Sequence, residues 1–143
     1  MADRTATTEW TGELGSGSGT VTLDSSNAGR FPVSFATRAE DPNGQTSPEE
    51  LIAAAHSSCY SMQLSGLLGQ DGTPPERIGT SAEVTLGQRG EGFAITGIAL
   101  TVRARVPGAD ASAFQRAAER AKEICPVSAA LAGTTITLDA RLD

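Results

Sequence analysis

The chain has 143 residues, is 38% hydrophobic and 20% charged, and carries a formal net charge of -6. That length suits one domain spanning residues 1–143, large enough to bury its own core. The acidic balance argues against a nucleic-acid binder, whose footprint is basic, and against attachment to anionic lipid. Two cysteines are too few for a disulfide framework, so the expectation is a cytoplasmic protein with reduced thiols.

The opening MADRTATTEW has neither a basic lead nor an apolar core, so no signal peptide is read there. Residues 5–14 read as a strand anchored by Trp10. GSGSG follows, then TVTLD with alternating Val21 and Leu23, the pattern of a hairpin. A dinucleotide site would need these glycines to open a helix, and here a strand follows. FPVSFATR, residues 31–38, reads as a third strand with Phe31, Val33 and Phe35 on one face, and DPNG as a turn.

SPEELIAAAHSSCYSMQLSGLLG then carries strong helix signals. Ser47 fits the N-cap, Pro48 the first helical position, Glu50 completes a capping box, and Gly69 is the stop. The least charged part, residues 51–68, contains His56, Gln63 and four serines, and reads as a buried helix rather than a membrane span. Its small side chains favour close approach and a dimer contact. After a loop, AEVTL reads as a strand and FAITGIALTVRARV as a long one. Its apolar parity switches at Gly97, the expected place for a bulge. Asp110 caps a second helix with Phe114, Ala117, Ala118, Ala121 and Cys125 on its apolar face. Pro126 breaks it and opens a short helix, and TITLDARL closes the chain as a strand. This order gives an α+β fold, mostly antiparallel.

The two cysteines lie on elements that must cover the same sheet or each other, so their thiols can meet. Inert burial as small hydrophobes is the competing reading. If Cys125 caps the short helix, its sulfur faces unpaired N–H groups that favour the thiolate, which would make Cys125 the nucleophile. His56 lies three residues before Cys59 and is a candidate base for it. A zinc site of His56, Cys59 and Cys125 lacks supporting CxxC or HxxxH spacing.

TSPEELIAAAHSSCYSM resembles the central motif of the OsmC/Ohr family of organic hydroperoxide reductases. GFAITGIALTV, KEICPVSAAL and ITLDARL resemble its OsmC branch. The one departure is TSPEE where the family usually has TNPEE, and serine and asparagine are both good caps. The resemblance implies an OsmC-like fold, with antiparallel sheets around two central helices in an intertwined homodimer. It implies that Cys59 is peroxidatic and Cys125 resolving, which reverses the preference drawn from the residues alone. It also implies that Arg38 sits by the reactive sulfur and Glu49 holds Arg38. Glu49 is ten residues before Cys59, about 15 Å along a straight helix, so it does not reach the sulfur itself. The implied substrates are organic hydroperoxides, with Phe35, Leu51 and Met62 as apolar lining. The implied reductant is a lipoyl-type dithiol, and no metal, haem or flavin is required. The rival readings are a dimeric binding module for a hydrophobic ligand and a purely structural stress protein.

Overall fold

The computed structural model describes residues 1–143 and falls into two compact units, Met1–Leu51 and Ile52–Asp143. In the first unit, β1 (Thr7–Thr11), β2 (Ser18–Thr22) and β3 (Arg30–Val33) form an antiparallel sheet in that order. The glycine-rich hairpin has a steric cause. A Cβ on Gly17 would lie 2.5 Å from the carbonyl oxygens of Thr11 and Glu13. Trp10 pairs with Gly19, whose Cβ would lie 2.9 Å from the indole ring. The indole therefore lies against a glycine, and its N–H donates to Gly12 O at 2.9 Å.

The expected third strand is shorter than residues 31–38. It ends at Val33, and Ser34 caps a short helix, α1 (Phe35–Ala39), by accepting the Thr37 N–H. The alternation of Phe31, Val33 and Phe35 suits a strand, but the serine cap overrides it. Arg38 thus lies in the last turn of a helix rather than at a strand end.

The long helix α2 (Pro48–Gln70) begins as its sequence demands, with Glu50 N–H donating to Ser47 Oγ at 3.1 Å. It runs one residue past the expected stop. Within the second unit it buries one stripe, His56, Tyr60, Leu64 and Leu68, spaced every four residues. Ala54, Ser58, Met62 and Ser65 on other faces are exposed, so the expectation of a buried helix holds for one stripe only.

β4 (Arg77–Arg89) and β5 (Gly92–Arg105) form a long antiparallel hairpin, extending the strand expected from AEVTL at both ends. Thr85 pairs with Gly97 and Leu86 with Ile95, which leaves Thr96 as the extra residue where the apolar parity switches. The crossover through α3 (Ala111–Ile124) and α4 (Pro126–Ala130) returns β6 (Ile136–Leu142) parallel to β5. This sheet is therefore mixed, and with only the β5–β6 pairing parallel the fold is mostly antiparallel, as expected.

α3 is capped by Asp110, which accepts the Ala113 N–H at 2.8 Å. Its buried face is Phe114, Ala117, Ala118 and Ala121, as the periodicity predicts. These residues pack with Tyr60 and Leu64 of α2 and with Leu100, Val102 and Ala104 of β5 in one core. The Tyr60 hydroxyl donates to Ala118 O at 3.0 Å, tying α2 to α3. Because Phe114 is fully buried among small alanines, Phe114→Ala should destabilise the fold by about 3–5 kcal/mol, read from denaturant unfolding. A loss below about 1 kcal/mol would show that the core collapses around the gap.

Candidate active site

Cys125 ends α3 and caps α4, with Pro126 at the first position of the new helix. Proline has no N–H to leave unsatisfied there, and it stops α3 from continuing. The cysteine–proline step therefore sets the sulfur at a junction of two helices. Cys125 is fully buried, whereas Cys59 on α2 is half-buried.

The two sulfurs lie 3.0 Å apart and are joined by a hydrogen bond. Both cysteines are free thiols. When the pair loses one of its two protons, the remaining one can lie between the sulfurs, and either sulfur can then carry the charge. The surroundings favour charge on Cys125. Burial opposes its ionisation, but the bond with Cys59, the Ser128 N–H and hydroxyl, and the Val127 N–H outweigh burial and hold its pKa below the ordinary thiol value. No full capping hydrogen bond reaches the sulfur. The N–H groups of α4 act as partial positive charges facing it. Burial, then the bond with Cys125, push the Cys59 pKa up, while the Val127 N–H pulls it down.

His56 is fully buried, and its Nε2 lies 2.7 Å from Ser128 Oγ. The ring is thus engaged with α4 through this nitrogen, and its Nδ1 has no partner. Burial lowers its pKa. Ser128 is the residue that sequence reasoning missed. Its only signal is its position three residues after Cys125, where a side chain can reach back to the cap. No three His, Cys, Asp or Glu side chains come together in a group able to hold a metal ion.

Within the first unit, Arg38 and Glu49 form a fork. Arg38 Nη2 donates to Glu49 Oε1 at 2.7 Å, and Nε reaches both carboxylate oxygens at 3.1 Å. Glu49 is buried and Arg38 about one-third exposed. The hydrogen bond to Glu49 raises the arginine pKa against a smaller opposing effect of burial, so the guanidinium stays charged. Arg38 also lines a cavity of about 360 Å³ in this unit, with Trp10, Leu14, Val33, Phe35 and Leu51. Met62, on α2 in the second unit, is exposed.

The family model for OsmC-like proteins matches residues 41–139. The chain is 47% identical over 133 residues to peroxiredoxin OsmC of Escherichia coli, covering 93% of this chain and 92% of that protein. It is 33% identical over 97 residues to the organic hydroperoxide resistance protein of Xanthomonas axonopodis, covering 65% of this chain and 66% of that protein. Among solved structures, the organic hydroperoxide resistance protein OhrB of Bacillus subtilis superposes with a TM-score of 0.75 at 24% identity, covering 96% of this chain and 98% of that one.

The unequal exposure of the two sulfurs has a direct consequence. A bulky alkylating reagent added to the reduced native protein should modify Cys59 well before Cys125, with Cys125 reacting only once the chain is unfolded. Peptide mapping of the modified protein measures the order, and equal rates at the two sites would show that the Cys125 junction opens freely in the native state.

Proposed function

The chain belongs to the OsmC-like protein family, and from that premise we propose that it is a thiol-dependent peroxidase reducing organic hydroperoxides to alcohols. The observation that carries this reading is the pair of free thiols at 3.0 Å, one half-buried and one fully buried. The more accessible sulfur meets the peroxide, and the buried one waits behind it.

In the first step the pair holds one proton, and the negative charge moves onto Cys59 as that proton settles on Cys125. The Cys59 thiolate attacks the outer oxygen of the hydroperoxide. The O–O bond breaks, Cys59 becomes a sulfenic acid, and the alkoxide takes the proton held on Cys125 to leave as the alcohol, which leaves Cys125 a thiolate. Cys125 then attacks the oxidised Cys59 sulfur. The S–S bond forms as the S–O bond breaks, and hydroxide leaves. An external dithiol of the lipoyl type returns both thiols by exchange, and Cys125, with its lowered pKa, is a good leaving group in that step.

Arg38 stabilises the Cys59 thiolate and orients the peroxide, and Glu49 holds the guanidinium in place. The rigid fork between them supports this assignment, because a two-point contact fixes the plane of the arginine. All 143 residues serve as one catalytic domain, working as a homodimer in the cytoplasm. No helix is long and apolar enough to cross a membrane. The chemistry needs no metal, haem or flavin. A second reading, a non-enzymatic module that binds a hydrophobic ligand, draws on the apolar cavity lined by Trp10, Leu14 and Phe35.

Consumption of an organic hydroperoxide with a dithiol reductant separates the two readings. The native protein should turn over. Cys59→Ser should fall to background, and Cys125→Ser should react once and stall with Cys59 oxidised. If Cys125→Ser is instead the variant blind to peroxide, the roles are reversed. If the freshly reduced native protein consumes nothing, the ligand-binding reading takes its place.

A further inference from the structure

His56 is the one histidine of the chain, and nothing in the cycle above uses it. It is 0% exposed, and its Nε2 lies 2.7 Å from the hydroxyl of Ser128, which is also buried. Nδ1 has no partner. A bare lone pair there costs less than an orphaned N–H, so the ring proton belongs on Nε2, which donates to Ser128 Oγ. Burial lowers the imidazole pKa, in keeping with a neutral ring that holds this one proton.

The bond joins α2 to α4 within a turn of each sulfur: His56 stands three residues before Cys59, and Ser128 three after Cys125. α4 has little else to hold it. It is five residues long, too short to persist by its own backbone bonds. Pro126, Ala129 and Ala130 are exposed, and Val127 is half-buried against the core. Nor does α4 simply continue α3, because Cys125 leaves the helical region at φ -58°, ψ 123°. α3, by contrast, is anchored by its buried alanine face and by the Tyr60 bond to Ala118 O. Cys125 belongs to both helices. Its N–H donates to Ala121 O at 2.9 Å, and its carbonyl accepts the Ala129 N–H at 3.0 Å. A movement of α4 is therefore felt at the residue that carries the sulfur.

We propose that the His56–Ser128 hydrogen bond is a clip that holds α4 against α2 and so presets Cys125 Sγ for disulfide closure with Cys59. Both are positioning residues, since neither exchanges a bond or a proton with the sulfurs. With the clip in place the sulfurs start 3.0 Å apart, and closure costs little further freedom. Without it the α3–α4 junction moves in the reduced protein. Closure must then arrest that motion, which lowers both its rate and its equilibrium constant. In the cycle above, the step it serves is the attack of Cys125 Sγ on the Cys59 sulfenic acid. The S–S bond forms, the S–O bond breaks, and the departing hydroxide takes a proton from solvent. That use rests on the peroxidase reading; the effect of the clip on closure does not.

Two measurements test it. Equilibration with a buffer of lipoic and dihydrolipoic acid gives the closure constant without any peroxide. The reference S–S bond breaks as the Cys59–Cys125 bond forms, and two thiol protons pass to the reference sulfurs. Ser128→Ala and His56→Leu should each lower that constant about tenfold. His56→Gln keeps an N–H donor for the serine oxygen but cannot titrate, and should restore most of it. In the two-thiol protein, stoichiometric organic hydroperoxide followed by acid quench and mass spectrometry gives the lifetime of the Cys59 sulfenic acid. Ser128→Ala should lengthen it about tenfold. Circular dichroism checks folding, and if His56→Leu does not fold, His56→Met takes its place. An unchanged closure constant in folded Ser128→Ala overturns the clip. So does a loss that the His56 variant does not share, since the hydroxyl would then act on the sulfur directly. A loss in His56→Gln as large as in His56→Leu overturns it too, because the imidazole itself would be needed. A lowered constant with an unchanged lifetime overturns the role in the cycle. If the unmutated protein consumes no hydroperoxide, the peroxidase reading fails while the exchange equilibrium still decides the clip.

Discussion

Two sulfurs 66 residues apart in sequence share one hydrogen bond at 3.0 Å. That contact depends on the placement of nearly everything else in the second unit. Cys59 is held by α2, whose His56–Tyr60–Leu64–Leu68 stripe is locked into the core. Cys125 is held at the break between α3 and α4, with the buried alanine face of α3 behind it. The Tyr60 hydroxyl bonds α3 one residue along α2 from Cys59, which limits sliding between the two helices. A disulfide needs the sulfurs to close by about 1 Å, a distance that side-chain rotation can supply without unfolding.

The electrostatics divide the labour between the two thiols. Cys125 is the easier to ionise and the harder to reach; Cys59 is the reverse. A proton shared across the S–H···S bond reconciles these facts, because charge stabilised at one sulfur is available at the other. The preference for Cys125 as the thiolate and its assignment as the resolving sulfur then describe one arrangement. In the proposed cycle its lowered pKa would serve attack on the sulfenic acid and departure during reduction. The Arg38–Glu49 fork is organised on the same principle, since a buried carboxylate holds a charged donor in a fixed plane.

Much of this was legible in the sequence because the signals were local. The Ser47 cap, the alanine face of α3, the parity switch at Gly97 and the break at Pro126 each follow from a few neighbouring residues, and the structure bears each out. The rest was hidden where local signals conflicted or distant ones decided. Phe31, Val33 and Phe35 alternate like a strand, yet Ser34 turns the chain into α1 and carries Arg38 onto a helix. The parallel pairing of β6 is set by the crossover through α3 and α4, which alternation in TITLDARL does not encode. Ser128 looked like one small residue in PVSAAL. Its importance comes from His56, 72 positions away, which no local pattern reveals.

The central claim is that the two sulfurs titrate as a pair. Ultraviolet thiolate absorbance of the reduced protein, followed against pH and compared with Cys59→Ser and Cys125→Ser, tests it most directly. A shared proton predicts two well-separated ionisations in the native protein, the first below and the second above those of the single-thiol variants. Two ionisations that simply superpose on those of the variants would mean that the sulfurs do not share a proton in solution, and the division of labour between Cys59 and Cys125 would lose its physical basis.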